Sequence, residues 1–351
     1  MGCIESSTNT DEKRTNRKIE NNLKKIEIQN DSLIRILLLG PGESGKSTIF
    51  KQLKLIQDGE FQKNTLQSTM PIIRQNIINQ MKVLIQQANK LLIPIQQQKA
   101  VELINKLSYL DEWDEAIIEA LTVLWNDPGI QKTLTLKDLK FHIFDSVEYF
   151  FNNLKRISSQ NYSPTNEDIL HCRVRTVGIN QAEFNIKKTS FILIDVGGQR
   201  NERKKWIHCF ENVTSVLFCS SLSGYCQTLI EDNSVNRMKE AINLFTEIYQ
   251  SPWFQKSSIM LFLNKKDIFE KKIKEIDLST CFRDYSGGKN YEKAIEFIQD
   301  KFLKNCDIDS ESARQVYPFI TCAVDTNNVQ NVIESALDSI MRRRLKNFGM
   351  F

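Results

Sequence analysis

Residues 33–57 read LIRILLLGPGESGKSTIFKQLKLIQ. The apolar run from Leu33 to Leu39 is short and ends at Gly40, which suits a buried strand. GPGESGKST, residues 40–48, follows, and then a helical run. The order is strand, glycine-rich loop, helix. Residues 40–47 match the pattern G-x-x-x-x-G-K-[ST]. Backbone N–H groups of such a loop point inward at phosphate oxygens. The helix behind it adds its positive N-terminal end. Lys46 is placed to reach β- and γ-phosphates, and the Ser47 hydroxyl to bind Mg²⁺. Alone, this motif says nucleotide phosphate and leaves GTPase, ATPase and small-molecule kinase open.

Working outward, the next feature is a gap. The chain of 351 residues has 13 glycines, and none lies between Gly59 and Gly129. Ile73, Ile77, Met81, Leu84, Ala88 and Leu91 recur there at spacings of three and four. That spacing predicts a long amphipathic helix with Pro71 in its first turn. Val101, Ile104 and Leu107 begin another. Ala116 to Trp125 reads as a third, closed by Asn126-Asp127-Pro128-Gly129. Leu136 to Ile157 carries at least one more, with Val147, Phe150, Phe151 and Leu154 on its apolar face. The stretch is long enough to hold its own core, so an all-α domain is expected.

After Arg175 the pattern alternates. Phe184–Ile186, Phe191–Ile194, Ser215–Cys219, Ile259–Leu263 and Pro318–Thr321 read as strands. Val235–Tyr249, Tyr291–Lys304 and Val329–Phe348 read as helices. Such alternation implies a mostly parallel sheet covered on both faces. The expected fold is therefore α/β, with a helical domain inserted into it.

Two further motifs follow predicted strands. Asn264-Lys265-Lys266-Asp267 comes directly after Ile259–Leu263, at the kind of strand end where open α/β sheets bind ligands. An aspartate there can accept from guanine N1–H and N2–H₂, two donors that adenine lacks. Asp195-Val196-Gly197-Gly198-Gln199 follows another strand. Its aspartate can hold Mg²⁺ through water, its glycine lets backbone approach a γ-phosphate, and Gln199 is placed to orient an attacking water. A phosphotransferase with a lid domain is the competing enzyme class, which Asp267 and Gln199 argue against. A nucleotide-gated scaffold without turnover is the non-enzymatic alternative.

Composition narrows the partners. Hydrophobic residues make up 41% and charged residues 26%, so a sizeable core can form. The net charge of +4 gives no reason to expect nucleic-acid binding. No apolar stretch approaches membrane-spanning length. Eight scattered cysteines without C-x-x-C spacing speak for a reducing compartment. His142, His171 and His208 lack ligand spacing and read as structural. The chain begins MGCIES: loss of Met1 would expose Gly2 in the M-G-x-x-x-[ST] myristoylation pattern, with Cys3 a palmitoyl candidate. Two acyl chains anchor stably where one binds marginally. Residues 8–30 are polar, with Ile19, Leu23 and Ile26 as a narrow apolar stripe suited to docking on a partner.

GPGESGKST (40–48), DILHCRVRTVG (168–178), DVGGQRNERKKWIHCFE (195–211), FLNKKD (262–267) and TCAVDT (321–326), in that order, resemble the heterotrimeric G-protein alpha subunits. The likeness covers nearly the whole chain. It implies a Ras-like P-loop GTPase domain with a mostly parallel six-stranded sheet, residues 33–56 and 172–351. It also implies an inserted helical domain, 57–171, and an N-terminal helix with its lipidation site, 1–32. By that resemblance Glu43, Ser44, Gly45, Lys46, Ser47 and Thr48 are phosphate-loop contacts and Arg173 is a built-in arginine finger. Thr176 joins Ser47 on Mg²⁺, Asp195 and Gly198 sense metal and γ-phosphate, and Gln199 positions water. Asn264, Lys265 and Asp267 resemble the guanine clamp. Cys322 and Ala323 lie in the loop that meets the guanine carbonyl, and Asp145 pairs across the cleft with Lys265. The implied ligands are GDP, GTP and Mg²⁺. The implied partners are a beta-gamma dimer, a G-protein-coupled receptor, an effector and a GTPase-activating regulator, at the cytoplasmic face of the plasma membrane.

The chain departs from the family in three places. Pro41 stands where alanine is usual, and because the loop's donors begin near Glu43, nucleotide binding should survive it. Gly224 and Cys226 stand where aspartates are common, so charge-based coupling through that loop is not expected. Phe348 replaces the cysteine that some members carry for toxin modification, and Arg342, Arg343, Arg344 and Lys346 precede it as a receptor-contacting tail.

Overall fold

The computed structural model describes residues 34–108, 113–186, 189–306 and 315–347, with backbone alone for 344–347. The expected N-terminal helix, the lipidation candidates Gly2 and Cys3, and Phe348 lie outside the described residues.

Strand β1 (Ile34–Leu39) runs into the phosphate loop, and helix α1 (Lys46–Asp58) leaves it. Helices α2 (Lys63–Lys90), α3 (Gln98–Lys106), α4 (Glu115–Trp125), α5 (Pro128–Thr135), α6 (Val147–Asn152), α7 (Leu154–Ile157) and α8 (Asn166–His171) come next, without a strand among the described residues. The chain then returns to β2 (Ile179–Ile186) and β3 (Thr189–Val196), and to β4 (Ser215–Ser221). Helix α9 (Arg237–Gln250), β5 (Ser258–Asn264), α10 (Lys266–Ile273), α11 (Tyr291–Leu303), β6 (Val316–Ile320) and α12 (Thr326–Asn347) complete it.

The six strands form one sheet in the order β2-β3-β1-β4-β5-β6. Only β2 is antiparallel, to its neighbour β3. All seven residues of β4 and of β5 are buried, as a sheet covered on both faces requires. One face packs α1 and α12 through Ile49, Leu53, Ile333 and Leu337. The other packs α9, α10 and α11 through Phe245, Phe269 and Phe302. The register pairs Leu38 with Asp195, Leu39 with Phe218 and Ser221 with Asn264. The loops leaving β1, β3 and β5 therefore emerge at the same C-terminal edge, with central β1 at the point where the strand order switches direction.

Helices α2 to α7 share a separate core. Ile77, Met81, Leu84, Ile104, Leu121, Leu124, Ile130 and Ile157 are essentially inaccessible to solvent within it. Each such side chain contributes roughly 1.5–3 kcal/mol on burial. A smaller cluster of Leu55, Phe61, Ile169 and Leu170 joins this unit to α1. The boundaries expected at 56/57 and 171/172 fall near this junction, inside α1 and beside Cys172, whose side chain packs in the helical core.

Two local expectations need correction, and a third gains a second role. Helix α2 begins at Lys63, so Pro71 sits in its interior rather than its first turn. Leu66 packs on the junction cluster, and Thr69 and Ser68 bond back to the Thr65 carbonyl, which hold the turns ahead of the proline. The Asn126–Gly129 turn ends α4 but also starts α5. Asp127 caps α5 by accepting from Gly129 N, at 2.8 Å, with Pro128 in the favoured first position. Finally, β2 starts at Ile179, its first half solvent-facing as an edge strand allows.

Candidate nucleotide site

An open cleft lies between the C-terminal edge of the sheet and the helical unit. The phosphate loop forms its floor. Two glycines of the cleft, Gly45 in this loop and Gly198 after β3, tolerate no side chain. A Cβ on Gly45, whose φ is +104°, would stand 2.0 Å from Asn264 Nδ2. A Cβ on Gly198 would stand 2.3 Å from Lys46 Nζ and 2.6 Å from the Gly40 carbonyl oxygen. These are the close approaches that a backbone cradle needs.

Lys46 Nζ donates to the carbonyls of Gly40 and Pro41, both at 2.9 Å. Burial pushes its ammonium down to about 8. A buried cation at the mouth of a helix and loop is a strong incentive to bind an anion. Pro41 thus takes part through its oxygen, and its missing N–H leaves the lysine contact intact.

The expected metal ligands converge. Ser47 Oγ and Thr176 Oγ1 lie 2.5 Å apart, brought from the start of α1 and from the segment after α8. Asp195, at the end of β3, is buried beneath them, and its Oδ1 makes no hydrogen bond among the described residues. Burial raises its pKa, with Lys46 opposing. Two hydroxyls and a carboxylate with an unsatisfied buried oxygen are hard donors of the kind Mg²⁺ accepts alongside phosphates and water. The residues therefore fit the ion.

At the base end, Asn264 is fully buried and acts as a strut. Its Nδ2 donates to Ser44 O at 2.9 Å, and its Oδ1 accepts from Ala323 N at 2.9 Å and Thr321 Oγ1 at 3.1 Å. It thereby locks the phosphate loop to the loop after β6. Lys265, at φ +65°, extends across the cleft to Asp145 Oδ2 at 2.6 Å. Burial works against the charge of Asp145, but Lys265 holds its carboxyl well below the usual range. Asp267 lies in the first turn of α10 and lines the cleft with Cys322 and Ala323. Burial pushes the Cys322 thiol up to about 12, so this cysteine contributes backbone and shape rather than a thiolate.

Arg173 and Gln199 border the same cleft. The Arg173 guanidinium lies 3.4 Å from Glu43 Oε1 and 5.7 Å over the Phe144 ring. Its backbone is held from both sides: Asn76 Nδ2 donates to its carbonyl at 2.9 Å, and Lys51 Nζ donates to the carbonyls of Ile169 and Cys172 at 3.0 Å. Gln199 packs beside Gly42. The segment that follows is tied down by Trp206 Nε1, donating to Gly197 O at 2.8 Å, and by Arg203 bridging Gly198 O and Glu240. Glu202 accepts from Gly178 N at 3.2 Å, linking the segments on either side of the β2–β3 pair.

Every cleft residue expected from the sequence thus lines one cavity, with Asp195 just beneath it. Sequence reading missed the groups that hold Glu43. Arg237 Nη2 and His142 Nε2 each lie 3.0 Å from Glu43 Oε2. Burial raises the pKa of Glu43, but Arg237, His142 and Arg173 together keep it well below the usual value. His142 and His171, read as structural, both face this region, His142 on Glu43 and His171 in the cleft wall. No sequence spacing marks these contacts, because each joins residues far apart in the chain.

Comparison with known proteins agrees across the chain. The family described as G-protein alpha subunit matches residues 13–340. The alpha-7 subunit of a guanine nucleotide-binding protein from Caenorhabditis elegans is 41% identical over 355 residues, covering 100% of both chains. The G(o) alpha subunit of Planorbella trivolvis is 40% identical over 359 residues, and a guanine nucleotide-binding protein alpha subunit of the fungus Cochliobolus heterostrophus is 38% identical over 356 residues, each covering 100% of both chains.

Proposed function

The chain belongs to the G-protein alpha-subunit family, a GDP- and GTP-binding signal transducer that hydrolyses GTP, and from that premise we propose how its own residues divide the work. The observation that carries the reading is the convergence of Lys46, Arg173 and Gln199 on one cleft whose far end holds Asp267. The phosphate loop and Lys46 bind the β- and γ-phosphates. Asp267 accepts the guanine donors, Asn264 fixes the loops that frame the base, and the Lys265–Asp145 pair closes the helical unit over the nucleotide. Ser47 and Thr176 would hold Mg²⁺ directly and Asp195 through water. When bound, the ion supplies positive charge to the phosphate oxygens.

In hydrolysis, a water oxygen attacks the γ-phosphorus and the bond to the β–γ bridging oxygen breaks, leaving GDP and inorganic phosphate. The water's protons end on phosphate oxygens or solvent. Charge spreads over the γ-phosphoryl oxygens and builds on the bridging oxygen. Arg173 and Lys46 neutralise it, and Gln199 aims the water. Loss of the γ-phosphate releases Thr176 and Gly198, so residues 173–180 and 197–210 relax together, coupled through Glu202 and Gly178. The Gln199→Leu variant tests the assignment. Single-turnover GTP hydrolysis should fall by about 100-fold or more while GDP and GTP binding persist; unchanged hydrolysis would remove Gln199 from the mechanism.

The partners follow the same reading. Residues 200–211 and the N-terminal helix take a beta-gamma dimer, and the C-terminal tail contacts a G-protein-coupled receptor. The relaxing segments are read by effectors and by a GTPase-activating regulator. Myristate on Gly2 and palmitate on Cys3 hold the protein at the cytoplasmic face of the plasma membrane. Gly2→Ala should shift the protein from membrane to soluble fractions; an unaltered fractionation would count against acyl anchoring.

A further inference from the structure

The loop between α5 and α6 presents Asp138, His142 and Asp145 to the sheet unit. Asp138 does not line the cleft, yet it is the most enclosed of the three contacts. Its Oδ2 lies 2.7 Å from Lys272 Nζ on α10, with side chains only 6% and 10% exposed. Its Oδ1 accepts from Gln227 Nε2, just past the turn at Leu222–Cys226. The Asp138 backbone is left-handed, φ +70°, and its N–H is returned to Phe141 O at 3.0 Å. This turn holds the carboxylate toward the other unit. Gly224 and Cys226 in the facing turn carry no charge, so the acid comes from the helical side.

The contact also continues inward. Gln227 Oε1 accepts from Arg237 Nη1 at 3.0 Å. Arg237 Nη2 donates to Gly42 O at 3.0 Å and lies 3.0 Å from Glu43 Oε2. An unbroken polar chain therefore runs from Asp138 through Gln227 and Arg237 to the phosphate loop.

We propose that Asp138, Lys272 and Gln227 form a second clasp between the two units, distinct from Asp145–Lys265, which sets how fast GDP leaves. The proposal rests on reading the cleft as a guanine-nucleotide site. The nucleotide lies between the units, so release requires them to part. Parting breaks the Asp138–Lys272 pair and frees Gln227 from one of its two partners. Removing one member of a buried pair strands the other, which weakens the closed state more than removing both. The three residues are positioning residues and touch no reacting atom.

The test measures exchange of fluorescently labelled GDP from the full-length protein. Asp138→Asn and Lys272→Met should each speed release by about tenfold, within the range for contacting charged residues. The double variant should be no faster than the faster single. Single-turnover hydrolysis of pre-bound GTP should not change, which separates the clasp from general loosening of the fold. Should Asp138→Asn fail to fold, Lys272→Met with Gln227→Leu decides the question in the same way. Release at the original rate in the single variants, or additive acceleration in the double, would overturn the clasp. A protein that binds GDP stoichiometrically in those assays leaves the nucleotide reading standing. Failure of the unaltered protein to bind GDP would overturn that reading instead.

Discussion

Replacing Arg173 by alanine will slow single-turnover GTP hydrolysis by about three orders of magnitude, the scale known for arginine fingers in GTPases, alpha subunits included. The direction follows from charge. The transition state spreads negative charge over the γ-phosphoryl oxygens, and few cations border that part of the cleft. The guanidinium is poised within reach, resting between Glu43 and Phe144. Its removal spares the backbone, because Asn76 and Lys51 hold the segment through carbonyl oxygens. It spares the phosphate loop as well, since Glu43 keeps Arg237 and His142. Binding of GDP should therefore change little while phosphate release nearly stops. Lysine at this position should recover only part of the rate, because a point charge lacks the planar fork that meets two oxygens at once. A loss below tenfold in Arg173→Ala would place the catalytic charge elsewhere.

Asp267→Asn will abolish the preference for guanine. The carboxylate offers two acceptors to the N1–H and N2–H₂ donors. An asparagine offers one acceptor and turns its NH₂ toward a donor, which leaves buried polar groups facing each other unpaired. Sites built on such hydrogen bonds reject mismatched ligands by roughly 10⁴. Guanine nucleotide affinity should fall by about that factor, and a purine with a carbonyl at C2, xanthine, should gain. The surroundings stay in place, because Asn264 rather than Asp267 ties the loops together. Competition binding with GDP, xanthosine diphosphate and ADP reads the result. An unaltered order of preference would show that the base is recognised elsewhere in the cleft.

Much of this site is legible in the sequence because it hangs on strand ends. A short apolar run followed by a glycine-rich or polar tetrad fixes both the strand and the loop after it, as at Leu39–Gly40, Val196–Gly197 and Asn264–Lys265. The glycine-free stretch from Gly59 to Gly129 likewise marks a unit built of helices. What the sequence hides is whatever depends on distant pairs. Arg237 and His142 are ordinary residues until the fold places both on Glu43. Asp138, Gln227 and Lys272 are solvated letters in the sequence and a buried cluster in the fold. Short helices are hidden too. KDIFEKKI, the whole of α10, is mostly charged and forms because Phe269 and Ile273 are buried against the sheet. Packing rather than propensity decides such a segment. The interior Pro71 of α2 is overridden in the same way, by Leu66 on the junction cluster.

Trp206 offers the most direct test of the switch. It is 3% exposed and hydrogen-bonded to the carbonyl of Gly197, next to the residue assigned to sense the γ-phosphate. Its fluorescence should change when GTP and Mg²⁺ are added to the GDP-bound protein. The change should decay at the rate of phosphate release and be absent in the Trp206→Phe variant. A large excess of ATP should neither cause nor block it. An equal response to ATP, or GTP turnover with no change at Trp206, would contradict a guanine-nucleotide switch in this cleft.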